Sequence, residues 1–212
     1  MRSSTRHGVL LVLSLAVIGW FPHGVGREGP AWRLSMATAY TSLGLLGLCL
    51  AIGPWSILRG RPNPLSSALR RDVGIWAGGL GLLHVVAGLQ VHFRGHPVRY
   101  FLSAAQAHQP FPLPRLDAFG IANHLGLIAA LLLIPLLASS NNAAPRRLGP
   151  RRWKGLQRSS YAVMLLVIAH GILYMSIEGR PPMFSLIAGV IVLIAATFQG
   201  LGYLAVRRGA AA

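Results

Sequence analysis

The stretch FGIANHLGLIAALLLIPLLAS, residues 119–139, runs through 21 positions with no charged side chain. An α-helix of about 20 apolar residues crosses the hydrocarbon core of a bilayer, and this run has neither the 2-residue nor the 3.6-residue alternation of a half-exposed element. Similar stretches flank it on both sides, at about 8–22, 34–58, 73–93, 159–177 and 183–206. Hydrophobic residues make up 53% of the 212-residue chain and charged residues only 11%, with a mean hydropathy of +0.55. A soluble domain of ordinary composition carries roughly 25% charge. The expected architecture is all-α, an integral membrane bundle of about six transmembrane helices forming a single domain over 1–212.

The first span is the most ambiguous. MRSSTRH followed by GVLLVLSLAVIGW has the basic head and short apolar core of a signal peptide, but no clear A-x-A site follows in FPHGVGREG. It is read as an uncleaved helix; cleavage would leave five spans with the others unmoved.

The formal charge of +16 is distributed between loops and not over one soluble face. Arg2 and Arg6 precede the first span; Arg59, Arg61, Arg70 and Arg71 follow the second; Arg146, Arg147, Arg151, Arg152, Lys154 and Arg158 follow the fourth; Arg207 and Arg208 end the sixth. These are 14 of the 20 Lys and Arg residues, all on one side. The positive-inside rule then places both termini in the cytoplasm and the protein in the plasma (inner) membrane. The basic loops suit anionic lipid and exclude a nucleic-acid reading. Cys49 stands alone in the second span, which removes intramolecular disulfides and thiolate clusters. No Gly-rich phosphate loop or soluble nucleotide domain is present, so any electrons must come from a partner.

Ionisable side chains inside spans are costly and mark function by default. His84, His124 and His170 lie inside; His7, His23, His96 and His108 lie in loops or termini, and His92 at the outer edge of the third span. His84 follows Arg71 by 13 residues, about 20 Å at 1.5 Å per residue. His170 follows Arg158 by 12, about 18 Å, and His124 lies about 10 Å in from Asp117 at the opposite side. All three reach one layer. Two imidazoles on separate helices of a bundle suit bis-histidine haem iron, and Gly81 and Gly88, one turn either side of His84, leave room for a ring edge. Small residues also let membrane helices pack closely. The competing reading of each histidine is an interhelical hydrogen bond, as in a non-redox scaffold or a small transporter subunit. Arg94, Arg99 and Arg115 offer charge to haem carboxylates, with loop solvation the plainer role.

RRDVGIWAGGLGLLHVVAG (70–88) and RRLGPRRWKGLQRSSYAVMLLVIAHGILY (146–174) together resemble the ferric reductase-like transmembrane domain, nearest in size to the haem-binding membrane subunits of bacterial methionine sulfoxide reductase systems. The landmarks are R-R-x-x-G-x-W opening the third span and L-G-x-R-R-W-K-x-L before the fifth. The resemblance covers about residues 34–200 and implies b-type haem with His84 and His170 as axial ligands and iron as the metal. Many relatives hold a second haem nearer the cytoplasm; here Gln157 and Arg71 stand at the corresponding positions, so one haem is expected. His124 is carried as a further cofactor-binding candidate, and quinone or FMN as further candidate redox groups. The implied role is a cytochrome b subunit, an electron-transfer component and not a self-sufficient enzyme. Its donor would be a cytosolic flavin reductase or the quinone pool, and its acceptor a periplasmic reductase or ferric iron.

Overall fold

A computed structural model describes residues 3–21, 29–60, 68–93, 96–103 and 111–210; His23, Arg94 and His108 lie outside these. The described chain forms α1 (Ser3–Trp20), α2 (Pro30–Leu58), α3 (Ala68–Gly88), a 3-10 turn (Pro97–Tyr100), α4 (Ala118–Ala138), α5 (Ala144–Leu148), α6 (Pro150–Glu178) and α7 (Pro182–Ala210). No strand occurs among the described residues, only an isolated bridge between Leu102 and Pro114. The protein is an all-α membrane bundle.

Among the described residues five helices, α1, α2, α4, α6 and α7, are long and apolar enough to cross a membrane. The stretch expected as the third span is α3, which falls outside that set by composition. It carries Arg70, Arg71, Asp72 and His84, and glycine fills several remaining positions. The physical reason is its place in the bundle. Its glycines take neighbouring side chains at contact: Leu137 at Gly78, Leu133 and Ser42 at Gly81, Cys49 at Gly74. A helix walled by other helices has less need of an apolar surface for lipid. On its outward side α3 exposes Leu83 and Val86, while α1, α4, α6 and α7 expose longer rows of leucines, isoleucines and valines, Leu165, Leu186 and Leu193 among them, as a lipid-facing surface requires.

α2 and α3 run antiparallel. Ser35 meets His84, the Ser42 hydroxyl donates to the Ala77 carbonyl at 2.7 Å, and the Cys49 thiol reaches the Arg70 carbonyl. α4 and α6 are also antiparallel, tied by Tyr174 to Asn123 at one end and by Gln157 and Trp153 to Ser139 at the other. α2 and α7 run parallel. Pro54 inside α2 has no N–H to give the Leu50 carbonyl four residues back; the Gln199 side-chain amide of α7 donates to it at 2.8 Å. Gly202 lets α7 approach there, since a Cβ would fall 2.7 Å from the Pro54 ring. In a bilayer core a freed carbonyl must be satisfied by protein.

Several helix ends differ from the expected spans for local reasons. α3 stops at Gly88 because the Tyr100 hydroxyl donates to the Gly88 carbonyl and accepts from the amides of His92 and Phe93. α6 begins well before 159: Gly149, at φ +78°, breaks it from α5, and Pro150 starts the new helix. At its other end Gly179 caps it in the left-handed conformation. α1 docks on α3 through Asp72, only 1% exposed, which accepts from Arg6 Nε at 2.6 Å, while Trp76 Nε1 donates to His7 at 3.0 Å.

Candidate functional site

His84 on α3 and His170 on α6 face each other in the core, with ring centres 6.1 Å apart and ring planes at 77°. Neither helix places its histidine alone. His84 Nδ1 donates to the Ser35 carbonyl of α2 at 2.9 Å, with the Ser35 hydroxyl 3.0 Å from the same nitrogen. His170 Nδ1 donates to the Ala122 carbonyl of α4 at 2.8 Å. A carbonyl can only accept, so both rings carry their proton on Nδ1 and leave the Nε2 lone pair unused. Among the described residues no protein hydrogen bond to either Nε2 occurs. This is the arrangement that orients metal-binding imidazoles: one nitrogen anchored on backbone, the other presented to the ion.

Two bonds of about 2 Å from imidazole nitrogen to one metal ion put the ring centres about 6 Å apart, which matches the observed 6.1 Å. Among the described residues no group of three or more His, Cys, Asp or Glu side chains could hold a metal ion. Two imidazoles suit an ion whose other ligands come from a macrocycle. Space for one is present. A cavity of about 1160 Å³ runs through the bundle between α2, α3, α4 and α6, with both histidines, Gly81, Gly88 and Gly126 in its wall.

Gly88 and Gly126 shape the histidine layer. A Cβ on Gly88 would sit 3.4 Å from the Ser35 hydroxyl and 4.0 Å from His84 Cε1, and one on Gly126 would come within 3.0 Å of His170 Nδ1. Gly81 instead gives room to Leu133 and Ser42. His124 is not in the cavity wall; its ring packs at 5.7 Å from Phe101. Its neighbour Asn123 faces inward and accepts from the Tyr174 hydroxyl at 2.8 Å.

The cavity's other end reaches Arg70, Arg71, Asn141, Asn142, Lys154, Gln157 and Arg158. Here Arg71 donates to Asn142 and Gln157 donates to Ser139. The histidines in the described cavity wall are His84, His92 and His170, so no second imidazole pair lies at this end.

At the histidine end, sequence reasoning overlooked a cluster around Tyr174. Its ring lies 4.9 Å from His170 and 6.4 Å from His92. His92 Nε2 donates to Glu178 at 3.0 Å, and Arg180 donates to the other carboxylate oxygen at 2.7 Å. Arg115, by contrast, pairs with Asp117 at 2.7 Å and bonds the Arg99 carbonyl; neither arginine lines the cavity. Backbone partners such as Ser35 and Ala122 carry no sequence signal, because any residue supplies a carbonyl.

Fold and site together define a multi-pass helical membrane protein with an imidazole pair presented to a core cavity. No family model matches the chain. It is 31% identical over 154 residues to the protein-methionine-sulfoxide reductase heme-binding subunit MsrQ of Bordetella pertussis, covering 71% of this chain and 67% of that protein. The same subunit of Ralstonia nicotianae is 33% identical over 160 residues, 74% of this chain and 65% of the relative. The chain belongs to this family of heme-binding subunits. It is also similar to magnetosome protein MamZ of Paramagnetospirillum magneticum, 43% identical over 187 residues, but spans only 26% of that protein's length.

Proposed function

We propose that this protein is the membrane cytochrome b subunit of a two-component reductase, moving single electrons through one b-type haem whose iron is held by His84 and His170. The observation that carries the reading is the pair of Nδ1 atoms anchored on carbonyls of α2 and α4, which leaves both Nε2 atoms unused on rings whose centres have the spacing of one shared ion. The names of the MsrQ relatives support the cofactor class. Bound haem supplies a one-electron couple; the chain fixes its place, excludes water from it and sets its surroundings. Val85 and Val167 in the cavity wall give the apolar part of those surroundings.

On this reading both termini are cytoplasmic and the histidine layer lies toward the outer face, about 20 Å along α3 from Arg71. Electrons leave on the outer side to a partner reductase whose substrate is an oxidised methionine. Converting a sulfoxide to a thioether takes two electrons and two protons and releases water, so the subunit delivers two electrons in sequence. The donor is a quinol of the membrane pool or a cytosolic flavin reductase. Entry from quinol at the outer leaflet involves the shorter path.

The rival reading of the histidines as interhelical hydrogen-bond partners has an observation behind it, since both bonds exist. Each uses only Nδ1, and glue alone would need no cavity between the rings. Purified protein made with adequate haem supply tests the point. The expected result is a red protein with a Soret band that shifts on dithionite reduction, one haem per chain by pyridine haemochrome, and loss of the band in His84→Ala and His170→Ala. A colourless preparation sinks the proposal.

A further inference from the structure

The haem reading leaves open which side chains meet the carboxylates of the macrocycle: of the arginines nominated from sequence, Arg115 pairs with Asp117, neither it nor Arg99 lines the cavity, and Arg94 lies outside the described residues. Five cationic side chains line the cavity among the described residues: Arg70, Arg71, Lys154, Arg158 and Arg180. The first four belong to the basic end, about 18 to 24 Å along α3 and α6 from the histidines. Arg180 alone stands at the histidine end. Its guanidinium lies 5.4 Å over the Tyr174 ring, which in turn lies 4.9 Å from the His170 ring.

We infer that Arg180 is the haem-propionate anchor of this protein, held in position by Glu178. A guanidinium can bond a carboxylate through two parallel N–H groups. Glu178 accepts from Nε at 2.7 Å; the Tyr40 side chain also lies beside the guanidinium, and the remaining terminal N–H groups are left for a second carboxylate. The side chain is only 13% exposed, and a cation at such a site needs compensating charge. Glu178 shares its own charge with His92, which donates to its other oxygen at 3.0 Å. An incoming propionate therefore meets a cation already oriented and incompletely neutralised. The left-handed turn at Gly179 makes this geometry possible, because it folds Arg180 back beside Glu178 at the end of α6.

The inference rests on the haem reading, and its test separates the two. Wild type, Arg180→Gln and Arg180→Lys are loaded with haem or with haem dimethyl ester, in which both propionates are capped. Haem transfer to apomyoglobin then gives the dissociation rate. Loss of one charge-assisted bond corresponds to roughly a tenfold faster release. The expected pattern is tenfold faster release for Arg180→Gln with haem, partial recovery in Arg180→Lys, and no difference between wild type and Arg180→Gln with the diester. Equal retention of haem by wild type and Arg180→Gln overturns the inference. So does an Arg180→Gln effect that persists undiminished with the diester, because the arginine then acts only on the fold. If Arg180→Gln does not accumulate, the wild type and Arg180→Lys decide alone: a diester penalty in wild type that is smaller in Arg180→Lys supports the anchor, and equal penalties overturn it. A colourless wild type sinks the haem reading itself, whereas a red wild type with unaltered Arg180 variants sinks only this inference.

Discussion

Gly126 on α4 lies so close to His170 on α6 that a Cβ there would come 3.0 Å from the ring's Nδ1. The missing side chain is what admits the imidazole to the Ala122 carbonyl. Gly126→Val is expected to turn His170 away from its acceptor and abolish the Soret band. Gly155→Ala, at a helix position with nothing within 4 Å, is the control and retains it. Absorption spectra of the two purified variants check this.

Ser35 offers His84 both a carbonyl and a hydroxyl. Only the carbonyl is needed to hold the proton on Nδ1. Ser35→Ala keeps the backbone acceptor, so it is expected to retain full haem content with only a small change in midpoint potential. Loss of haem in Ser35→Ala would show that the hydroxyl is the true orienting partner.

The bond from Gln199 to the Leu50 carbonyl exists because Pro54 cannot make it. Gln199→Leu leaves that carbonyl unsatisfied and is expected to cost about 1–3 kcal/mol. Pro54→Ala restores an N–H within α2, so the double variant should recover much of the loss. Thermal unfolding in detergent of the two singles and the double forms the cycle, and strict additivity contradicts the account.

Asp72 is buried against Arg6, with Arg71 at 3.8 Å and His7 at 3.6 Å. Removing one partner of a buried ion pair costs about 3–5 kcal/mol. Asp72→Ala is expected to release α1 from α3, read as faster thiol labelling of a cysteine introduced at Ser14, which is buried in the native fold. Unchanged labelling would mean that the apolar contacts of α1 hold it alone.

Asp117 caps α4 by accepting from the Gly120 amide at 2.7 Å. The Arg115 side chain, with that amide, holds its carboxyl below the usual carboxylate range. A depressed folded pKa contributes stability above the unfolded value, and that contribution is lost as pH falls through the folded one. Asp117→Asn should therefore melt lower than wild type at neutral pH, with the gap closing only below about pH 4. A gap that stays constant down to pH 2 would remove the charge from the explanation.

What the sequence determined by itself follows from one-dimensional properties. Long uncharged runs such as 119–139 mark helices for lipid, and nearly equal counts from Arg71 to His84 and from Arg158 to His170 place two side chains at about one depth, because a helix rises by a constant step. Hydropathy under-reads α3, since a helix partly walled by others needs an apolar exterior only on its outward side, where Leu83 and Val86 are exposed. Depth also says nothing about azimuth. His124 shares the layer of His84 and His170, yet packs against Phe101 while its neighbour Asn123 faces the cavity. Which way each imidazole turns was decided by the tertiary structure alone, through the carbonyls of Ser35 and Ala122. Every residue has a carbonyl, so only the packing of α2 on α3 and α4 on α6 selects those two. Likewise Arg180, ten residues after His170 but far along the chain from His84, joins them because α6 ends in a left-handed turn that brings it over Tyr174.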